Sequence, residues 1–179
     1  MRHETIINQP VIELERFDLR PLVASDAGLI ALYAGDARVA GATTSIPHPL
    51  PPGLPEALIA RARDEARVED IWAMDGAKSG GPEVMGLISL TRVDRGRSEI
   101  GFWVAPAFWN AGVAQAAVRG LVAANPQDCF VIYASVFQDN PASARVLTNQ
   151  GFQYLGDAAS FCVSRGAQVP TWTYSLRLG

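Results

Sequence analysis

A chain of 179 residues, 49% hydrophobic and 18% charged, can bury a sizeable core and suits one domain over residues 1–179 rather than a disordered segment. Its formal net charge of −3 leaves no electrostatic footprint for nucleic acid, and no apolar run reaches the ~20 residues of a membrane helix. Cys129 and Cys162 lack metal-ligand spacing and sit in apolar, strand-like runs, which predicts buried free thiols in a reducing, cytoplasmic compartment.

Met1–Pro10 is polar, lacks the apolar centre of a secretory signal and reads as a frayed end. Val11–Leu22 alternates with a one-residue slip, which predicts one strand with a bulge near Glu15-Arg16. Ser25 is placed to cap a helix over Asp26–Ala34. Ala37–Pro55 is irregular, carries five prolines and His48, and is anchored by Ile46 and Leu50. A proline-rich loop of this length in a compact fold is usually functional or mobile. Glu56–Arg67 reads as a helix, Asp70–Met74 as a short strand and Glu83–Val93 as a longer one. Asp94–Arg97 makes a hairpin into Ser98–Val104.

Ser98–Val104 places Ile100, Phe102 and Val104 on one face and Glu99, Gly101 and Trp103 on the other. Pro106 ends that strand. The small-residue loop Asn110-Ala111-Gly112-Val113-Ala114 leads into a helix over Ala114–Ala124. Cys129–Phe137 reads as a strand buried on both faces. Asn140, Pro141 and Gly151 then frame a helix as cap, first residue and C-terminal stop. Strand, helix, strand, helix predicts that the strands from Ser98 and Cys129 are parallel. Phe152–Leu155 opens a strand resuming at Ser160–Ser164, and Val169–Leu178 closes the chain with Trp172, Tyr174, Leu176 and Leu178 on one face.

A strand, a glycine-bearing loop and a helix start can hold phosphate, because free N–H groups converge there and the helix dipole favours an anion. The same pattern also makes an ordinary tight turn that needs Gly112. Neither a Walker A loop nor G-x-G-x-x-G is present. Asn140 reads as a helix cap. Ser143 reads as a first-turn helix residue. Glu99 is a surface strand residue or a base, with His48 as the rival imidazole base. Trp72, Trp103 and Trp109 are core or pocket wall.

Phe102-Trp103-Val104, Pro106, Phe108-Trp109 and Gly112-Val113-Ala114, followed by Asp139-Asn140, Ser143, Leu147 and Gly151-Phe152, resemble the motifs of the GNAT acyltransferase superfamily. Within it the chain is most similar to the RimJ/RimL-type N-terminal acetyltransferases, from about Glu13 to Leu178. The family loop W-G-Q/R-G-x-A/G reads here Trp109-Asn110-Ala111-Gly112-Val113-Ala114. Asn110 tolerates left-handed backbone, and Ala111 keeps its N–H but lacks a side-chain donor.

The resemblance implies an α/β fold: a mixed, twisted sheet of six to seven strands, helices on both faces, and a splayed parallel pair holding acetyl-CoA. It implies that Asn110, Ala111, Gly112, Val113 and Ala114 cradle the pyrophosphate and that Asn140 contacts the pantetheine arm. Unpaired amides at Trp103 and Val104 would face the thioester, and Ser143 would protonate the departing thiol. Glu99, His48 and Trp72 would meet the acceptor, a peptide or small-molecule amine, with Glu99 taking its proton. No metal is implied, and the chain is expected as a monomer or homodimer. A CoA-binding regulatory module without catalysis is the alternative.

Overall fold

The alternating segments gather into one eight-stranded sheet, in a computed structural model that describes residues 9–179. In chain order the elements are β1 (Ile12–Glu13), β2 (Asp18–Pro21), α1 (Ala27–Ala34), α2 (Ala37–Ala40), α3 (Leu54–Ala62), β3 (Glu69–Asp75), β4 (Gly86–Asp94), β5 (Arg97–Val104), α4 (Val113–Ala124), β6 (Val131–Phe137), α5 (Pro141–Asn149), β7 (Gln153–Cys162) and β8 (Ala167–Arg177). The strand order is β1-β2-β3-β4-β5-β6-β8-β7, and every neighbouring pair is antiparallel except β5–β6.

Helices cover both faces. On one, Val118 and Leu121 of α4 and Leu147 of α5 pack on Trp72, Met74, Ile88, Leu90 and Ile100. On the other, Ile30 and Ala34 of α1 and Ile59 and Ala62 of α3 pack on Ile71, Ala73 and Leu87. Each fully buried Leu or Ile contributes roughly 1.5–3 kcal/mol. The parallel pair is short: Arg97, Ser98 and Glu99 face Val131, Ile132 and Tyr133. Beyond them β5 stays with β4 as far as Val104, while β6 follows β8 to Phe137, so the two strands part company in mid-sheet.

Several sequence expectations are corrected. The sheet has eight strands, not six or seven. The Val11–Leu22 segment is a hairpin of β1 and β2, closed by Leu14 N–H donating to Phe17 O at 3.0 Å; the slip in alternation marks a reversal, not a bulge. Ser25 does not cap α1. The carboxylate of buried Asp26 accepts from Val23 N at 2.9 Å and is held by Arg20, so a short 3-10 turn precedes a helix that begins at Ala27. Within the expected irregular loop, Asp36 accepts from Arg38 N at 2.9 Å and starts α2. The next helix begins earlier and ends sooner than read, as α3. The β7 strand is continuous, with a register shift between Tyr154 and Gly156 that absorbs the apparent break.

The frayed end expected over Met1–Pro10 falls largely on residues 1–8, outside the described residues. Gln9 is anchored, its Nε2 donating to Ile71 O at 2.6 Å. Among the described residues no helix is long and apolar enough to cross a membrane.

Candidate active site

Where β5 and β6 part, the sheet presents backbone groups without strand partners. Ala105 N–H donates to Met85 O at 2.8 Å. The β4–β5 register is regular from Thr91–Glu99 to Gly86–Val104, so strand alternation turns the Trp103 N–H the same way. The N–H groups of Phe102 and Val104 point into the gap instead. Of the two amides expected there, Val104 is in place and Trp103 is not, because adjacent residues in a strand face opposite edges.

A cleft of about 830 Å³ opens beside this gap, bordered by Val104, Trp109, Asn110, Gly112, Val113, Ala114, Asn140 and Ser143. The loop that shapes it is left-handed at Asn110 (φ 63°) and Gly112 (φ 76°). A Cβ at Gly112 would meet nothing within 4 Å, so glycine is needed there for backbone freedom, not space. Trp109 is 44% exposed; its Nε1 donates to Val104 O at 2.7 Å, and the Arg38 guanidinium lies 5.6 Å from its ring centre. The first helical bond of α4 runs from Ala116 N to Gly112 O at 3.0 Å. The Val113, Ala114 and Gln115 amides therefore have no intrahelical partner, and the helix dipole adds to their pull on an anion. Ala111 does not border the cleft. Asn140 caps α5, its Oδ1 accepting from Ser143 N at 3.4 Å.

A second cavity of about 660 Å³ lies on the Glu99 face of the sheet, bordered by α1, α3 and the strap Ala42–Ile46. The two cavities share Ala42, Phe102, Trp103, Asn140 and Ser143. Glu99 opens into the second cavity, whose walls thin the water around its carboxyl and push its pKa above the ordinary value. Glu69, Thr91 and Glu99 form one row across β3, β4 and β5, and Arg61 sits 3.7 Å from Glu69. Gly101 leaves a dip in this wall, since a Cβ there would reach within 3.5 Å of Ser89 Oγ.

The strap is held from far along the chain. Val163 N donates to Thr44 O at 3.0 Å, and Cys162 Sγ donates to Thr43 O at 3.1 Å. Arg165 donates to Gly41 O from Nε at 3.0 Å and from Nη2 at 2.6 Å, and pairs with Asp139 at 2.6 Å. That pairing pulls the Asp139 pKa down. Sequence reading missed this clamp: Arg165-Gly166 carries only a turn signal.

Two expected acceptor residues stand elsewhere. Ile71 faces the second cavity, so Trp72, the next residue along β3, faces away; it is fully buried and its Nε1 donates to Pro10 O at 2.8 Å. His48 is exposed and borders neither cavity. Both cysteines are free and buried. Among the described residues no group of three or more His, Cys, Asp or Glu could hold a metal ion.

Residues 16–153 match the family model described as an acetyltransferase (GNAT) domain. The chain belongs to the GNAT acetyltransferase family. No curated protein matches it in sequence. Solved acetyltransferases resemble it at low identity. The microcin C7 self-immunity acetyltransferase MccE, solved with acetyl-CoA and AMP, has a TM-score of 0.78 at 14% identity, covering 92% of this chain and 94% of that one. Ribosomal-protein-S5-alanine acetyltransferase from Vibrio fischeri has a TM-score of 0.76 at 20% identity, covering 94% and 97%. Spermidine N-acetyltransferase from Vibrio cholerae, solved with CoA and spermine, has 0.72 at 18%, covering 88% and 94%. At these identities the likeness is one of fold.

Proposed function

We propose that this GNAT protein transfers an acetyl group from acetyl-CoA to a primary amine by direct attack, with no covalent enzyme intermediate. One observation carries the reading: a cleft that starts at the unpaired amides of α4 meets a second cavity at Phe102, Trp103, Asn140 and Ser143. Acetyl-CoA supplies the activated thioester. The Gly112–Gln115 backbone suits a pyrophosphate, and Asn140 suits the amide-bearing arm. The Val104 N–H donates toward the thioester carbonyl as negative charge builds there. An alkyl amine with pKa near ~10 is almost wholly protonated at neutral pH, so a proton must leave before attack. Glu99, reached directly or through water, takes that proton. Ser143, on the border of both cavities, returns one to the departing thiolate. Holding both reactants at the shared residues supplies much of the acceleration.

The test is CoA thiol release from acetyl-CoA across a panel of primary amines, alongside titration calorimetry of acetyl-CoA. Binding with amine-dependent release supports transfer. Binding without release for any amine makes the protein a CoA-binding module, and absence of binding removes the reading altogether.

A further inference from the structure

Arg165, in the hairpin after β7, spreads one planar guanidinium over two segments that are remote in sequence. Nε and Nη2 donate to Gly41 O at 3.0 and 2.6 Å, while Nη1 and Nη2 donate to the Asp139 carboxylate at 2.6 and 3.2 Å. The group also lies 5.0 Å from the centre of the ring of Phe137, the last residue of β6. Among the described residues Asp139 has no other side-chain partner.

The two segments belong to different cavities. Gly41 begins the strap, and the residues that follow it, Ala42–Ile46, line the second cavity. Asp139 precedes Asn140, which caps α5 and whose backbone N–H donates to Phe137 O at 2.9 Å. Asp139, Asn140 and Ser143 border the cofactor-side cleft. A guanidinium forked onto a carboxylate fixes direction as well as distance, so the turn before α5 and the start of the strap share one relative placement. The other two moorings of the strap, Val163 N on Thr44 O and Cys162 Sγ on Thr43 O, do not touch that turn. The Arg165 and Asp139 side chains are 34% and 57% exposed, and ion pairs so exposed add little to overall stability. A mooring alone would need no partner on the cofactor side.

We infer that Arg165 is a positioning residue that passes the state of the Asn140 turn to the strap. Filling the cofactor-side cleft takes freedom from its wall, and a segment bonded rigidly to that wall loses freedom with it. The coupling is reciprocal, so an occupant under the strap steadies the Asn140 turn in return. The inference rests on the proposed binding of CoA in this cleft.

The test is hydrogen exchange read by mass spectrometry, with and without saturating CoA, on wild type, Arg165→Met, Arg165→Lys and Cys162→Ala. Calorimetry measures CoA binding by each protein separately. In wild type, CoA is expected to slow exchange at the α4 start, Val113–Gln115, and to slow the strap, Gly41–Ile46, by roughly fivefold or more. Arg165→Met keeps the stem beside Phe137 without the fork, and Arg165→Lys keeps the charge without the fork. Both are expected to melt near the wild-type temperature, to bind CoA and to keep the α4 response, while the strap no longer responds. Cys162→Ala removes a mooring and leaves the fork, so its strap exchanges faster in both states and the CoA response persists. A wild-type strap response in either Arg165 variant overturns the inference. So does loss of the response in Cys162→Ala, which would make any loosening sufficient, or loss of CoA binding in Arg165→Met, which would put Arg165 on the cofactor itself. CoA that binds wild type without slowing the strap overturns the inference alone. No CoA binding to wild type overturns the transferase reading and the inference with it.

Discussion

The two cavities that meet at Asn140 and Ser143 are built in opposite ways. The cofactor-side cleft takes most of its wall from one run, Phe102 to Gln115, and the first turns of α5. On the proposed reading its anion-holding parts are backbone N–H groups fixed by local geometry, with two left-handed residues, one free helix start and one strand edge, and only Asn140 and Ser143 add side chains. The second cavity, the acceptor site on the proposed reading, is assembled from α1, α3, β3, β4, β5, β6, β7, β8 and the strap, and its walls are side chains. A backbone site tolerates side-chain change, so on the proposed reading a departure such as Ala111, which does not border the cleft, is expected to leave anion binding in place. A side-chain site changes its ligand with each substitution.

Four substitutions probe this division, from the largest expected effect to the smallest. Glu99→Gln is expected to lower kcat/KM at neutral pH by roughly 10²–10⁴-fold, the range for general base catalysis, with no change in acetyl-CoA affinity. The raised pKa of Glu99 sets the sign of the pH profile: activity is expected to fall as pH drops through the raised pKa, where the base takes up its proton. In Glu99→Gln that limb disappears, and activity recovers in part at high pH as free amine becomes abundant. Steady-state profiles from acid to alkaline pH decide it; an intact acid limb returns Glu99 to a surface strand residue.

Ser143→Ala is expected to lower kcat about 10–100-fold with little change in acetyl-CoA KM, the pattern for an interaction made mainly in the transition state. An unmoved kcat leaves Ser143 as a first-turn residue only. Gly112→Glu puts a negative charge at the free amides of α4 and forces a side chain onto left-handed backbone. Acetyl-CoA binding is expected to weaken by more than about tenfold by calorimetry, with amine binding unaltered. Unchanged acetyl-CoA affinity in a folded variant would move the anion elsewhere. His48→Gln marks the low end: an exposed residue bordering neither cavity is expected to leave the whole pH profile as it was. If the acid limb flattens instead, the base is His48.

How much the sequence discloses follows the same division. The β5 strand, its loop, the start of α4 and the Asn140-Pro141 cap were legible because their signals are local: alternation, a glycine, a proline stop, a capping residue. Even the substitution of Asn110 for the family glycine agreed with its left-handed backbone. Alternation alone could have excluded Trp72 once Ile71 faced the cavity, and could have exchanged Trp103 for Phe102 among the gap-facing amides. The clamp around Arg165 left no local mark, since it depends on which distant segment lies alongside.

That clamp ties together parts of the chain that are far apart in translation order. Gly41 and Arg165 are 124 positions apart, yet the strap over the second cavity keeps its place through the hairpin after β7. The path of the strap thus depends on a segment made long after it: a strap with a different path would take its backbone carbonyls away from Val163 N, Cys162 Sγ and the Arg165 guanidinium. An engineer recombining homologues would do best to place crossovers so that both segments come from one parent.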